Sequence, residues 1–182
     1  GGSPALRYRH ETGGELADDV WRRFSGRCFK CGTPLATPND MHLDHTRPLA
    51  LLWPLDGTAT ALCASCNSAK RDRPPIAFYT AEELDKLAEL TGISLEELRS
   101  PHPNADAIER LRDRLDWFFD AFLERPELQE VRDGKIAADL LLKALQKAID
   151  AAPRALRFSV LEMSDERRGE MPDDVGDETE LL

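Results

Sequence analysis

The spacing of apolar positions changes near Pro75. Before it the chain is loop-rich. Leu16, Val20 and Trp21 or Phe24 recur at helical spacing and predict a short amphipathic helix over about 15–24, which Gly26 ends. Gly32, Pro34 and Pro38 mark turns. Met41-His42-Leu43-Asp44-His45 alternates in character and predicts a short strand, with a second one near 58–62. A helix is expected to start near Ala64 and to stop before Pro74-Pro75. Proline cannot continue a helix, and it disfavours helix in the residue before it.

After Pro75 the pattern is helical. Thr80-Ala81-Glu82-Glu83 and Ser94-Leu95-Glu96-Glu97 each fit a capping box, in which hydroxyl and carboxylate satisfy orphan backbone N–H groups. Asn104 suits the cap of a long helix to about Glu124, with Ile108, Leu111, Leu115, Phe118, Phe119 and Phe122 as its apolar positions. Pro126 fits the first turn of another helix. A further helix over about 135–151 carries Ile136, Leu140, Leu141, Leu145 and Ile149, and 157–163 reads as strand or coil. Trp21, Phe24 and Phe29 read as core. Trp117, Phe118, Phe119 and Phe122 exceed what one helix face needs, so they suggest a helical core with a subunit or partner-protein interface, a homodimer being one form.

Charge refines this division. The 182 residues carry 24 Lys+Arg against 34 Asp+Glu, a net of −10. That total argues at first against a nucleic-acid partner, because phosphate affinity comes from Lys and Arg. Residues 1–75, however, hold 10 basic against 8 acidic side chains, whereas 76–182 hold 14 against 26. The acidity belongs to the helical half, and within it 164–182 reads as a mobile acidic tail. The global charge therefore does not veto DNA for the first half. The expected organisation is an N-terminal arm over 1–13, a compact domain over 14–75, a helical domain over 76–163 and the tail. Gly1-Gly2-Ser3 reads as a cloning remnant. With no apolar stretch of signal-peptide or membrane-spanning length, a cytoplasmic, thiol-reducing location with no membrane association is expected.

Four cysteines stand as Cys28-x-x-Cys31 and Cys63-x-x-Cys66. Two such knuckles supply four sulfurs to one tetrahedral Zn²⁺, and four thiolates leave no open position, so a zinc there is structural. Residues 32–62 between them are numerous enough to fold. Beside the knuckles lie His42, Asp44, His45 and Asn67. Phosphodiester hydrolysis needs a base to activate water and a cation to stabilise charge on phosphorus and the leaving oxygen. Imidazole is a base near pH 7, and carboxylate and amide oxygens suit Mg²⁺ or Mn²⁺. On a strand, Asp44 and His45 point to opposite faces, so a bend after Asp44 is required to bring them to one phosphate. His42 stands open between a metal or substrate contact and a half-buried strand residue. Asn67 stands open between a metal ligand and a helix cap or knuckle turn. Arg47, Lys70, Arg71 and Arg73 form a basic cluster that fits either phosphate contacts or a solvated helix end.

The order of Cys-x-x-Cys, then Leu43-Asp44-His45-Thr46-Arg47-Pro48-Leu49, then Leu62-Cys63-Ala64-Ser65-Cys66-Asn67-Ser68-Ala69-Lys70 resembles the zinc-containing HNH endonucleases, over roughly residues 21–73. The resemblance implies an α+β, mostly α fold: a ββα-metal finger braced by a four-cysteine zinc site and followed by the helical domain. It implies His45 as general base, with Asp44 and Asn67 as ligands of one catalytic Mg²⁺ or Mn²⁺. The family's middle Asn, which orients the loop bearing the base, is replaced here by Thr58. The implied function is a metal-dependent endodeoxyribonuclease, in a restriction or phage-defence setting. The alternatives are a zinc-braced nucleic-acid- or protein-binding module with a degenerate site, and an RNA-directed nuclease.

Overall fold

The computed structural model describes residues 14–170, so the N-terminal arm and the end of the expected acidic tail lie outside the described residues. The chain divides into two compact units between Ala107 and Ile108.

The first unit begins with α1 (Glu15–Arg23), entered through Gly14 at φ 87°. Glu15 and Asp18 in its first turn and Arg22 and Arg23 in its last complement the helix dipole. Ala17 and Val20 point into the core. Gly26 turns the chain away at φ 61°, and a Cβ there would lie 2.9 Å from the Trp21 ring, so only glycine fits. The Trp21 indole N–H donates to Leu35 O at 2.9 Å and pins the segment after the turn onto this helix.

Strands β1 (His42–Asp44) and β2 (Thr60–Leu62) pair antiparallel, with His42 opposite Leu62, Leu43 opposite Ala61 and Asp44 opposite Thr60. Helix α2 (Ala64–Lys70) follows directly. Then come α3 (Pro75–Phe78), α4 (Ala81–Thr91) and α5 (Leu95–Arg99). Thr80 and Glu83 form the reciprocal capping box. At α5 only half of it forms: Ser94 accepts from the Glu97 N–H at 3.2 Å, while the Glu97 carboxylate turns to Arg47.

The division of the chain thus falls well after Pro75, where the sequence placed the domain boundary. The reason is burial. Two strands of three residues and a helix of seven cover too little apolar surface to close a core. Tyr79, Leu84, Leu87 and Leu98 complete one cluster with Val20, Met41, Leu43 and Ala61.

In the second unit the expected continuous helix to Glu124 is broken. Helix α6 (Ala105–Asp113), which enters the unit, stops before Arg114, and α7 (Leu115–Trp117) runs into a π-helical turn over Phe118–Phe122. The Leu123 N–H donates to Phe118 O at 2.9 Å, one residue wider than an α-turn. Along that turn Phe118 and Phe119 are both buried, and Phe122 stacks on Phe118 with centroids 5.8 Å apart. Pro126 opens α8 (Pro126–Gln129) as expected. A hairpin of β3 (Val131–Arg132) and β4 (Lys135–Ile136) takes residues expected in the next helix. Asp133 and Gly134, at φ 52° and 73°, make its two-residue turn.

Helix α9 (Ala137–Asp150) buries Leu142, Leu145 and Ile149, while Leu140, expected inside, is 48% exposed. The stretch read as strand or coil and the start of the expected tail are instead α10 (Val160–Glu170). Its apolar residues mark no single face, so the sequence carries no helical period. Gln146 anchors the start of the helix, accepting from the Val160 N–H at 2.8 Å and donating to Phe158 O at 3.1 Å. Among the described residues no helix is long and apolar enough to cross a membrane.

A shared core makes a specific demand. Leu87, fully buried on α4, is expected on truncation to Ala to destabilise the first unit by about 2–5 kcal/mol. Urea denaturation followed by Trp fluorescence and by far-UV circular dichroism checks this, and Trp21 on α1 should report the loss as fully as the helices do.

Candidate functional site

The cysteine cluster is built by two tight turns brought against one strand. The Cys28 N–H donates to Thr33 O at 2.9 Å and the Gly32 N–H to Cys28 O at 2.8 Å, which folds the first knuckle back on itself. The Phe29 N–H donates to Ala61 O at 2.9 Å and ties that knuckle to β2. Cys63 leaves the end of β2 and serves as N-cap of α2, its sulfur accepting from the Cys66 N–H. The four Sγ atoms lie within 4.8 Å of one another. Cys31 and Cys63 are 3.8 Å apart. Zn–S bonds of ~2.3 Å in a tetrahedron place sulfurs ~3.8 Å apart, so the donor set fits one zinc ion. Burial pushes the Cys28 and Cys66 thiols up, whereas hydrogen bonding by Thr33, 3.0 Å from the sulfur, brings Cys31 down to about 6. Four soft donors with no oxygen ligand are consistent with a structural site.

A cleft of about 240 Å³ lies at the other end of α2 and is lined by Asp44, His45, Asn67, Lys70 and Arg71, with Leu49 at its edge. Strand β1 ends at Asp44, so the alternation that would separate Asp44 from His45 is broken where the expectation required it. Asn67 comes from the middle of α2, one residue after the last cysteine. Its side chain has no hydrogen-bond partner among the described residues, so the capping alternative does not apply.

Comparison of the chain with protein-family models, curated proteins and solved structures returns no match. The site therefore has to be read from its own geometry.

That geometry redistributes the basic cluster. Lys70 is 2% exposed, so it is not the open phosphate contact expected of it. Its ammonium donates to Asp44 Oδ1 at 3.2 Å and lies 3.0 Å from Oδ2. Oδ2 receives no well-directed hydrogen bond and is the unsatisfied atom of the pair. Arg47 is likewise engaged: it stacks on Trp53 at 3.9 Å and bonds Glu97 at 3.3 Å, with Asp56 at 3.8 Å. Arg73 folds back to donate to the carbonyls of Ala69 and Lys70, which makes it a helix cap, the alternative reading of the cluster. His42 sits on β1 opposite Leu62 and does not line the cleft. Arg71 remains exposed at the cleft, held at φ 55° where a non-glycine backbone is strained.

The electrostatics follow from burial. Burial raises the Asp44 carboxyl to about 6 against the pull of Lys70. Burial and the Lys70 charge lower His45, with Asp56 opposing them, so the imidazole is neutral at pH 7.

Asp56 and Thr46 were not singled out from sequence. Asp56 accepts both the Thr58 N–H at 2.9 Å and its hydroxyl at 2.6 Å. The Asp56-Gly57-Thr58 run carries an Asx-turn signal that points to this arrangement. Thr46 carries no comparable signal.

Replacing Cys63 with Ser removes one sulfur and weakens the cap of α2. Elemental analysis is expected to find equimolar zinc in the parent and a loss of it in the variant, with a lower melting temperature. Unchanged zinc stoichiometry would refute the four-sulfur site.

Proposed function

We propose that the chain is a metal-dependent endonuclease of the HNH type that hydrolyses phosphodiester bonds in DNA. The observation that carries this reading is the convergence of Asp44, His45 and Asn67 on one cleft, at the end of a strand–strand–helix unit flanked by four clustered cysteines. The roles follow the family that the motifs resemble.

Asp44 Oδ2 and the Asn67 carboxamide oxygen are the hard donors available to a divalent cation such as Mg²⁺ or Mn²⁺. A buried carboxylate oxygen without a directed hydrogen bond supports that fit. When bound, such a cation supplies charge stabilisation at a phosphate oxygen and the leaving oxygen. His45 accepts the proton of the attacking water through an imidazole nitrogen, and its depressed basicity keeps it free to do so at neutral pH. Arg71 meets the phosphate at the open side of the cleft.

One observation favours a second reading. The Lys70 ammonium already neutralises Asp44, as expected of a degenerate site in a zinc-braced binding module. Plasmid nicking in Mg²⁺ and Mn²⁺ separates the two readings, and matched duplex RNA tests the RNA-directed alternative.

His45→Ala is expected to abolish cleavage while zinc content and the far-UV spectrum stay at parental values. Full cleavage by that variant would remove His45 as base. Arg71→Ala is expected to weaken duplex binding and to lower the slope of log affinity against log salt by about 1, read by fluorescence anisotropy across a salt series.

A further inference from the structure

The residue directly after the proposed base is fastened by its own hydroxyl. Thr46 is 1% exposed, and its Oγ1 lies 2.5 Å from Thr58 O and 2.5 Å from Thr60 Oγ1. A carbonyl only accepts, and a hydroxyl carries a single proton. Thr46 therefore donates to Thr58 O, and Thr60 must be the donor to Thr46. The chain of bonds has one direction, Thr60 to Thr46 to Thr58. Thr60 is wholly buried on β2, directly opposite Asp44 in the register. His45 is thus bracketed on one side by Asp44, whose strand partner is Thr60, and on the other by Thr46, whose hydroxyl partner is that same Thr60.

The Thr58 side chain is not available for this work. Its hydroxyl and its N–H both donate to Asp56 Oδ1, while only its main-chain carbonyl reaches Thr46. A side chain at 58 is what the resemblance led one to expect as the brace of the loop.

We propose that Thr46 is the positioning residue for His45: its hydroxyl, held between Thr58 O and Thr60 Oγ1, orients the loop that presents the base. This rests on the nuclease reading of the cleft. Thr46 touches neither substrate nor cation in this role. It acts by removing the freedom of the backbone on which the imidazole is mounted, and a small misplacement of a catalytic group is costly in rate. The Thr58 carbonyl supplies the acceptor whatever side chain the position bears, which accounts for a threonine being tolerated there.

The test uses the full zinc-loaded chain with Thr46→Val, Thr46→Ser, Thr60→Val and Thr58→Ala. Metal-dependent plasmid nicking gives kcat and KM. The His45 ring resonance, assigned by its absence in His45→Ala, reports the order of the imidazole independently of activity. Thr46→Val is expected to lower kcat by roughly 10- to 100-fold with KM near the parental value, and to shift or broaden the His45 signal. Thr46→Ser restores both. Thr60→Val, which spares the Thr46–Thr58 bond, and Thr58→Ala, which spares the carbonyl, each lose less than Thr46→Val. If Thr46→Val loses its zinc or its melting transition, Thr46→Ala is read in its place. Parental kcat and an unchanged His45 signal in the hydroxyl-free variant would overturn the proposal, as would a Thr58→Ala loss larger than that of Thr46→Val or a failure of serine to rescue. A parental chain that does not nick DNA would overturn the nuclease reading instead, and the His45 signal would still decide whether Thr46 orders the loop.

Discussion

Four sulfur atoms within 4.8 Å of one another are the constraint on which the first unit turns. Thiolates at that spacing repel and thiols there gain little, and a bound zinc ion would make the arrangement favourable. The consequence reaches past the knuckles. Cys63 ends β2 and caps α2, and Cys66 stands in the first turn of that helix. Fixing these sulfurs against Cys28 and Cys31 fixes the axis of a helix of seven residues that is too short to be stable alone. Asn67 and Lys70 ride on that axis. Their placement against Asp44 is therefore inherited from the cysteines, although none of the four lines the cleft.

The Asp44–Lys70 pair is the second determinant, and its sign is less simple. Withdrawing both charges from water is expensive, and their attraction offsets this only with good geometry and further hydrogen bonds. Here one carboxylate oxygen lacks a directed bond. The raised Asp44 pKa says the same in another form: burial costs the charged carboxyl more than Lys70 returns. Such a pair adds little net stability, yet removing either partner alone would strand a buried charge. A divalent cation at Asp44 would satisfy the deficient oxygen and compete with the ammonium. The lysine stem is flexible, so the pair is suited to opening in a way that a rigid arginine fork is not.

The legible parts of the fold were those with local chemistry. The two knuckles, both strands and α2 follow from Cys spacing, alternation and the Pro74-Pro75 stop. Thr80 and Glu83 announce α4 through a box that closes on itself. The illegible parts depend on partners distant in sequence. Gln146 starts α10 from 14 residues away. Phe118 and Phe119 are both buried where the backbone widens to a π-turn that no local signal announces. Glu97 leaves its expected capping role to hold Arg47, 50 residues earlier. At the cleft, residue identities were readable, but which cations stay free was not. For Lys70 and Arg47 that depends on Asp44 and Glu97, 26 and 50 residues away in the chain, which only the tertiary structure brings into contact.

This redistribution changes the meaning of charge in the first unit. Over residues 1–75 basic side chains outnumber acidic ones by only two, and over the whole unit, 1–107, acidic ones lead by 15 to 12. Lys70, Arg47 and Arg73 are bound to internal acceptors, which leaves Arg71 as the cation of that cluster exposed at the cleft. On the nuclease reading, phosphate affinity that scales with the number of contacts would then be small, and non-specific binding would be weak at physiological salt. A nuclease so built would not find its substrate by electrostatic attraction alone. Substrate would have to be held by contacts that do not depend on net charge, or be delivered by a partner bound elsewhere on the chain. The second unit is net acidic by sequence, with 12 basic side chains against 19 acidic over 108–182, and so adds no net attraction for phosphate. On the nuclease reading, the cations around the cleft serve to build the site, and few are left to attract substrate.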